Sequence, residues 1–245
     1  MAVVEGVTEF LPISSTAHLM LTARLLQIAQ TEFVKSFEIA IQLGAICSVA
    51  VLYIQKIFKN PGLIGKILMA FLPTGILGFG LYSLVKRYLL GNEIVAIAAL
   101  LIGGIILLRI TIMNSKFQIE NLSVGRLLTI GVFQSLAMVP GVSRALATIL
   151  GGQLMGLSQT EAVEMSFLLA VPTMAAATGL DLIKSGMSFS GGEWMTLGVG
   201  FMGAFISAVV VIKWLIGFVK QHDLKVFGWY RVLLAMAWGA FIFFR

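Results

Sequence analysis

Charge is what this chain has least of. Asp, Glu, Lys and Arg make up 11% of its 245 residues, against about 25% in a soluble domain. That scarcity excludes an ordinary water-soluble fold. With 59% hydrophobic residues and a mean hydropathy of +1.00, it points to a polytopic integral membrane protein. Cysteine is nearly absent too: a lone Cys47 allows no intramolecular disulfide and, set in an apolar run, reads as a small buried hydrophobe. HExxH, Walker A and Cys-x5-Arg patterns are missing. Gly198-Val-Gly200-Phe-Met-Gly203 has the GxGxxG form, but no strand precedes it and an apolar span contains it. Close helix packing is therefore its reading. Acidic residues number 11 against 17 basic ones, a net charge of +6. The bases fall mainly between apolar runs, as in loops beside anionic headgroups, and form no nucleic-acid patch. No cleavable signal peptide is expected, because a basic n-region is lacking.

What is present in quantity is apolar length. Six runs can span roughly 30 Å of hydrocarbon as helices: 36–54, 67–85, 93–113, 161–183, 194–217 and 229–244. Asn92 precedes the third, and Ser158-x-x-Glu161 and Ser190-x-x-Glu193 are capping-box patterns opening the fourth and fifth. Pro61-Gly62 marks the loop before the second. Pro73 and Pro172 fall inside spans, where neighbouring helices can compensate the freed backbone groups. His222 and Asp223 read as a solvated loop.

Two regions do not fit full spans. Residues 1–28 break at Pro12 and residues 126–157 at Pro140-Gly141. Each half is too short to cross alone, so both read as re-entrant helical hairpins. Pro12 with Ser14-Ser15 resembles Pro140 with Ser143, and Ser36-Phe37 resembles Ser166-Phe167. These near-constant offsets predict an all-α membrane fold of 1–245 in one domain. It would be built as an inverted-topology repeat, about 1–113 and 126–245, each half one re-entrant hairpin plus three transmembrane helices. Lys56, Lys59, Lys66, Lys116, Arg126, Lys220 and Lys225 would share one side, against Lys35, Lys86, Arg87, Lys184 and Arg245 on the other. That bias makes the first side cytoplasmic.

The chemistry concentrates at the breaks. Glu5 and Glu9, four residues apart, share a helical face. Pro12 ends that helix, Ser14 and Ser15 can cap the next, and His18 sits on its first turns. A charge at the centre of a spanning helix costs roughly 2.5–3.5 kcal/mol, so Glu5, Glu9, His18 and Arg144 must pair, line a wet cavity or bind ions and substrate. At the second break, Gly141 permits close backbone approach and the helix start near Ser143 offers free N–H groups to an anion. Arg144 adds a planar fork suited to phosphate, with Thr148 one turn on. Glu38 and Gln42, at i and i+4, either support this site or face an interior cavity. On these residues alone, a transporter or translocase of an anionic substrate remains the alternative to an enzyme.

Glu5-Gly-Val-Thr-Glu9-Phe-Leu-Pro-Ile-Ser-Ser-Thr-Ala-His18 resembles the (E/Q)GxTEFLPxSSTGH signature of the undecaprenyl pyrophosphate phosphatase family, bacterial inner-membrane enzymes also known through bacitracin resistance. Pro140-Gly-Val-Ser143-Arg144 with Thr148 resembles its PGxSRSxxT. Phe37-Glu38-x3-Gln42-Leu43-Gly44-Ala45, Ser166-Phe167-Leu168-Leu169-Ala170-x-Pro172 and Trp229-Tyr230-Arg231 extend the likeness over nearly the whole chain. The resemblance implies hydrolysis of undecaprenyl diphosphate to undecaprenyl phosphate and inorganic phosphate, which recycles a cell-wall lipid carrier, with the site facing the periplasm. Under it, Glu5, Glu9, Ser15, His18 and Arg144 are expected to be catalytic, and Ser14, Gly141, Ser143 and Thr148 to bind substrate. Glu5 and Glu9 would hold a divalent cation, Mg²⁺ or Ca²⁺. Ser15 is the expected nucleophile with His18 as its base, and direct attack by His18 stays open. The expected partners are a polyprenyl diphosphate lipid and the bilayer, with no nucleic acid and with a homodimer left open. There are departures. Ala17 replaces a glycine, and Ala145-Leu146 replace Ser-Gly, so bulky Leu146 is expected to narrow the pocket, and an inactive lipid-phosphate binder is the reading that follows if it blocks catalysis. The chain starts four residues before Glu5, where relatives have a longer apolar lead, so either a short first half-helix or an N-terminally incomplete sequence is expected.

Overall fold

The computed structural model describes residues 1–29, 31–89, 91–109, 117–184 and 190–244. Positions 110–113 of the third predicted span, and Lys116 and Arg245 of the charge tally, lie outside the described residues. Every predicted span is a helix: α3 (Glu32–Lys59), α4 (Gly62–Tyr88), α5 (Glu93–Arg109), α8 (Gln159–Lys184), α9 (Gly191–Val219) and α10 (Lys225–Phe243). Five of these are long and apolar enough to cross a membrane, and α5 is 17 residues long as described. The broken regions are two pairs of short helices: α1 (Ala2–Thr8) with α2 (Ser15–Leu25), and α6 (Val124–Ser135) with α7 (Arg144–Leu154). Among the described residues there is no strand, only an isolated bridge between Phe117 and Leu157. The protein is an all-α polytopic membrane protein.

Local chemistry starts these helices much as expected. Ser190 and Glu193 form a complete capping box, and Asn92 Oδ1 accepts the Val95 N–H at 3.2 Å. The box expected at α8 forms only by half. Ser158 Oγ accepts the Glu161 N–H at 3.2 Å, but the Glu161 carboxylate accepts the Ile119 N–H instead, at 3.0 Å. The turn at 119–121 presents a free amide that outcompetes the backward reach. Pro73 and Pro172 sit inside α4 and α8 without ending them. Between those helices and α6, Thr74 Oγ1 donates to the Gly131 carbonyl at 2.8 Å, and Gln134 Nε2 donates to Thr74 and Thr173 hydroxyls at 2.9 Å each. Polar side chains at this depth act as interhelical ties.

Small residues set the packing. Helix α3 lies along α9, where a Cβ on Gly200 would overlap the Phe37 ring and one on Gly44 would strike the Phe201 backbone. Of the GxGxxG-like run, Gly200 is thus the close packing point, Gly203 reaches Ala2 at ordinary contact distance and Gly198 faces open space. Helix α5 meets α10 where Gly104 and Gly228 face each other, and α1 lies on α9, as α6 lies on α4. Outward-facing residues are apolar, as with Phe79, Ile94 and Met195. Among the described residues, by contrast, Glu5, Glu9 and Arg231 are buried, together with the imidazole of His18. A surface for lipid and an interior for ions is the inverse of a soluble fold.

Candidate active site

Both breaks are built the same way. Pro12 and Pro140-Gly141 interrupt each hairpin, and the next helix opens on a serine with positive φ, Ser14 at 73° and Ser143 at 75°. Each hydroxyl caps its helix, Ser14 Oγ accepting the Ala17 N–H at 3.4 Å and Ser143 Oγ the Leu146 N–H at 3.2 Å. Positive φ is unfavourable for any residue with a Cβ and persists where the surroundings hold it. Helices α2 and α7 have 11 residues each and are followed by a left-handed residue, Gln27 or Gly156.

The breaks meet inside the protein. Ser143 Oγ contacts the Leu11 carbonyl at 3.5 Å. Arg231, fully buried on α10, donates to the carbonyls of Pro12 (3.0 Å), Ala99 (3.0 Å), Leu100 (3.2 Å) and Gly141 (2.8 Å). The first and last of these are loop carbonyls left free by the two broken helices. Arg231 therefore fastens both breaks to α5. Gly141 has φ +92° and a Cβ there would lie 2.9 Å from the Ala96 Cα, so its bare side accommodates helix α5.

Around this junction lies a cavity of about 230 Å³. Glu9, Ser14, Ser15, Ser143 and Arg144 form its polar wall, with Gln42 from α3, while Ala137, Val139, Met174 and Ala177 line it with apolar surface. Glu9 is the hub. Its Oε2 accepts the Ser15 hydroxyl at 2.5 Å, and its Oε1 accepts Arg144 Nη2 at 2.9 Å and Nε at 3.2 Å. Arg144 Nη1 donates to the Ser166 carbonyl at 2.6 Å. Thr148, expected to face substrate, is instead fully buried behind the wall. Its hydroxyl bonds the Arg144 carbonyl and Ser166 Oγ, both at 2.7 Å.

Two other expected residues also stand behind the wall. His18 does not touch Ser15: its Nδ1 lies 2.7 Å from the Ser14 carbonyl and its Nε2 2.7 Å from the Tyr230 hydroxyl. Glu5 is fully buried, and neither carboxylate oxygen has a hydrogen-bond partner among the described residues. Glu9, Glu38 and Arg144 are the charges acting on it. An orphaned buried carboxylate suits a hard cation, whereas both Glu9 oxygens are already engaged. No group of three His, Cys, Asp or Glu side chains is gathered among the described residues. Leu146 does not narrow the cavity. It is 2% exposed and packs towards Gly103, because its position on α7 faces α5.

Tyr230, Arg231 and Ser166 bond His18, the two breaks and Arg144 respectively, and the sequence pattern alone did not rank them as site residues. For Arg231 a signal existed, a lone arginine inside an apolar span.

The chain is similar to known proteins along its length. The family described as "Bacitracin resistance protein BacA" matches residues 1–237. A protein of Aquifex aeolicus named undecaprenyl-diphosphatase is 51% identical, with 100% of this chain and 97% of that protein covered. Proteins with the same name from a Sulfurihydrogenibium species (48% identical, 96% and 94% covered) and from Thermus thermophilus (45%, 100% and 96%) are also similar. The chain belongs to the bacitracin resistance protein BacA family.

Proposed function

We propose that this chain hydrolyses undecaprenyl diphosphate to undecaprenyl phosphate and inorganic phosphate, recycling the lipid carrier for cell-wall synthesis. It does so in the bacterial inner membrane, with the site open to the periplasm. The names of its relatives support the substrate. One observation carries the chemistry: a serine hydroxyl, a carboxylate at 2.5 Å and a guanidinium on that same carboxylate form one cavity wall.

Arg144 and the N–H groups opening α7 bind the diphosphate, whose oxygens compete with Glu9 for the guanidinium. Ser15 Oγ attacks the terminal phosphorus while its proton passes to Glu9 Oε2. The bond from that phosphorus to the bridging oxygen breaks, and undecaprenyl phosphate leaves with the electron pair. Water then adds to the phosphoserine, Glu9 returns its proton to Ser15 Oγ, and dihydrogen phosphate departs. His18 is not the base in this scheme, since both its nitrogens are engaged elsewhere. Glu5 would hold a divalent cation, Mg²⁺ or Ca²⁺, whose charge offsets that of the diphosphate, while Glu9, expected to share it, is taken up by Ser15 and Arg144. The prenyl tail runs along Ala137, Val139, Met174 and Ala177 into lipid.

The two halves, in this reading, are inverted copies whose hairpins enter from opposite faces. The matching serine caps and the reciprocal packing of α1 on α9 and α6 on α4 support it.

Phosphate release by the purified protein in detergent, supplied with undecaprenyl diphosphate, tests the reaction. Release by wild type and none by Ser15→Ala is expected. No release, with lipid crossing proteoliposomes, would overturn hydrolysis in favour of transport.

A further inference from the structure

We infer that Tyr230 is a positioning residue for the reaction, acting through His18 to hold Ser14 and so aim Ser15. The inference rests on the reading of Ser15 as nucleophile. A carbonyl oxygen can only accept, so the 2.7 Å contact to the Ser14 carbonyl places the proton on His18 Nδ1. That leaves the neutral imidazole a lone pair on Nε2, and the Tyr230 hydroxyl, 2.7 Å away, donates to it. The two ring planes are also nearly parallel, 6° apart with 5.6 Å between centroids, so the phenol meets the imidazole edge to edge. Tyr230 thereby fixes both the tautomer and the plane of the imidazole.

The imidazole in turn holds a strained residue. Ser14 has φ 73° and ψ 94°, and its carbonyl takes the His18 backbone N–H at 3.2 Å as well as Nδ1–H. The next residue is Ser15, whose hydroxyl must stay on Glu9. The second break shows what the lock adds. Ser143 has nearly the same backbone, yet Ala147 occupies the place that His18 holds in the first break. Among the described residues, the Ser143 carbonyl there takes the Ala147 N–H alone, at 3.0 Å. That serine is followed by the phosphate-binding Arg144 and needs no aimed hydroxyl. The imidazole–phenol lock stands only behind the nucleophile.

Tyr230→Phe removes the hydroxyl and keeps the ring. Full-length protein in detergent, assayed with undecaprenyl diphosphate, should show kcat lower by roughly 10- to 100-fold, the scale of losing a group that orients a catalytic side chain. KM should stay within about twofold, since no substrate contact is lost. The thermal midpoint should be unchanged. In a His18→Asn background, whose amide can still donate to the Ser14 carbonyl, Tyr230→Phe should have no further effect. An unchanged kcat, a rise in KM alone, a loss that tracks a fall in thermal midpoint, or the same fold-loss in both backgrounds would each overturn the inference. Ser15→Ala, run alongside, separates the two levels. If it stays active, the nucleophile reading falls and takes this inference with it. If it is dead while Tyr230→Phe has wild-type kcat, only this inference falls.

Discussion

Arg144 is where charge matters most. Its guanidinium meets Glu9 through two nitrogens and the Ser166 carbonyl through a third, so one planar group is steered into the cavity wall, where in the proposed reaction phosphate oxygens compete with Glu9 for it. A lysine carries the charge but not the fork. Arg144→Lys should therefore lower kcat/KM by about 10²- to 10³-fold, the scale of losing one preorganised donor at a developing charge. Steady-state phosphate release measures it, and a loss under tenfold would remove Arg144 from the transition state. Glu9→Gln separates shape from basicity. The amide oxygen can still accept from Ser15, yet it cannot take the proton, so kcat should fall by about 10²- to 10⁴-fold. A Glu9→Gln variant with near wild-type kcat would return the role of base to His18. Glu5 makes the third case. Its unpartnered carboxylate predicts that chelation abolishes phosphate release and that added Mg²⁺ or Ca²⁺ restores it. Glu5→Gln should raise the half-saturating metal concentration at least tenfold in the same titration, and activity that survives exhaustive chelation rejects the metal role.

At the scale of elements, the two broken helices would not stay in register without α5 and α10. Arg231 bonds both breaks and α5, and Gly103 leaves room for its guanidinium: a Cβ there would lie 2.9 Å from Arg231 Cζ. Gly103→Ala should displace the guanidinium and destabilise the fold by about 1–3 kcal/mol, the usual range for overpacking. Arg231→Met should cost more, because the loop carbonyls of Pro12 and Gly141 lose their donor at about 1–3 kcal/mol each. Thermal unfolding in detergent checks both, and an unchanged midpoint for Arg231→Met would dismiss the clamp. The comparison with sequence is instructive here. Pro12, Pro140 and the serines after them announced the breaks, because proline and capping chemistry act within a few residues. Arg231 lies 219 residues from the Pro12 carbonyl it holds, and no local pattern encodes that pairing. Ser15 and His18 show the same limit. Their spacing allowed a contact, but Glu9 and Tyr230, brought in by the break and by α10, took their hydrogen bonds. Leu146 followed the same logic. Its identity was visible, but only the folded packing, which brings its side chain up to Gly103 of α5, decides that it faces away from the cavity.

For the whole molecule, the open issue is how two hairpins reach one cavity. If both entered from the same face, the chain would have one wet side and the other half would be a plain bundle. The contacts argue otherwise. Arg24, near the end of α2, is paired with Glu93 at the start of α5 and stacks over Phe241 at the end of α10. The outer ends of the α6–α7 hairpin meet different neighbours: Lys66, near the start of α4, donates to the Leu122 carbonyl, and Phe117 bridges to Leu157. Lys56, near the end of α3, pairs with Glu164 near the start of α8, and Gln159 bonds the carbonyls of Val219 and His222 after α9. In the proposed inverted arrangement, following the long helices from these contacts places residue 27 at one face and residues 59, 123 and 221 at the other. Cys47 is the lone native cysteine, so Cys47→Ala gives a background without thiols. Exposed Gln27, Lys59, Ser123 and Gln221 can then each be replaced by cysteine. A membrane-impermeant maleimide should label Gln27→Cys from the outside of right-side-out vesicles. The other three should label only from inverted vesicles, which also agrees with the excess of lysine at that face. Labelling of Gln27→Cys and Ser123→Cys from the same side would exclude inverted halves.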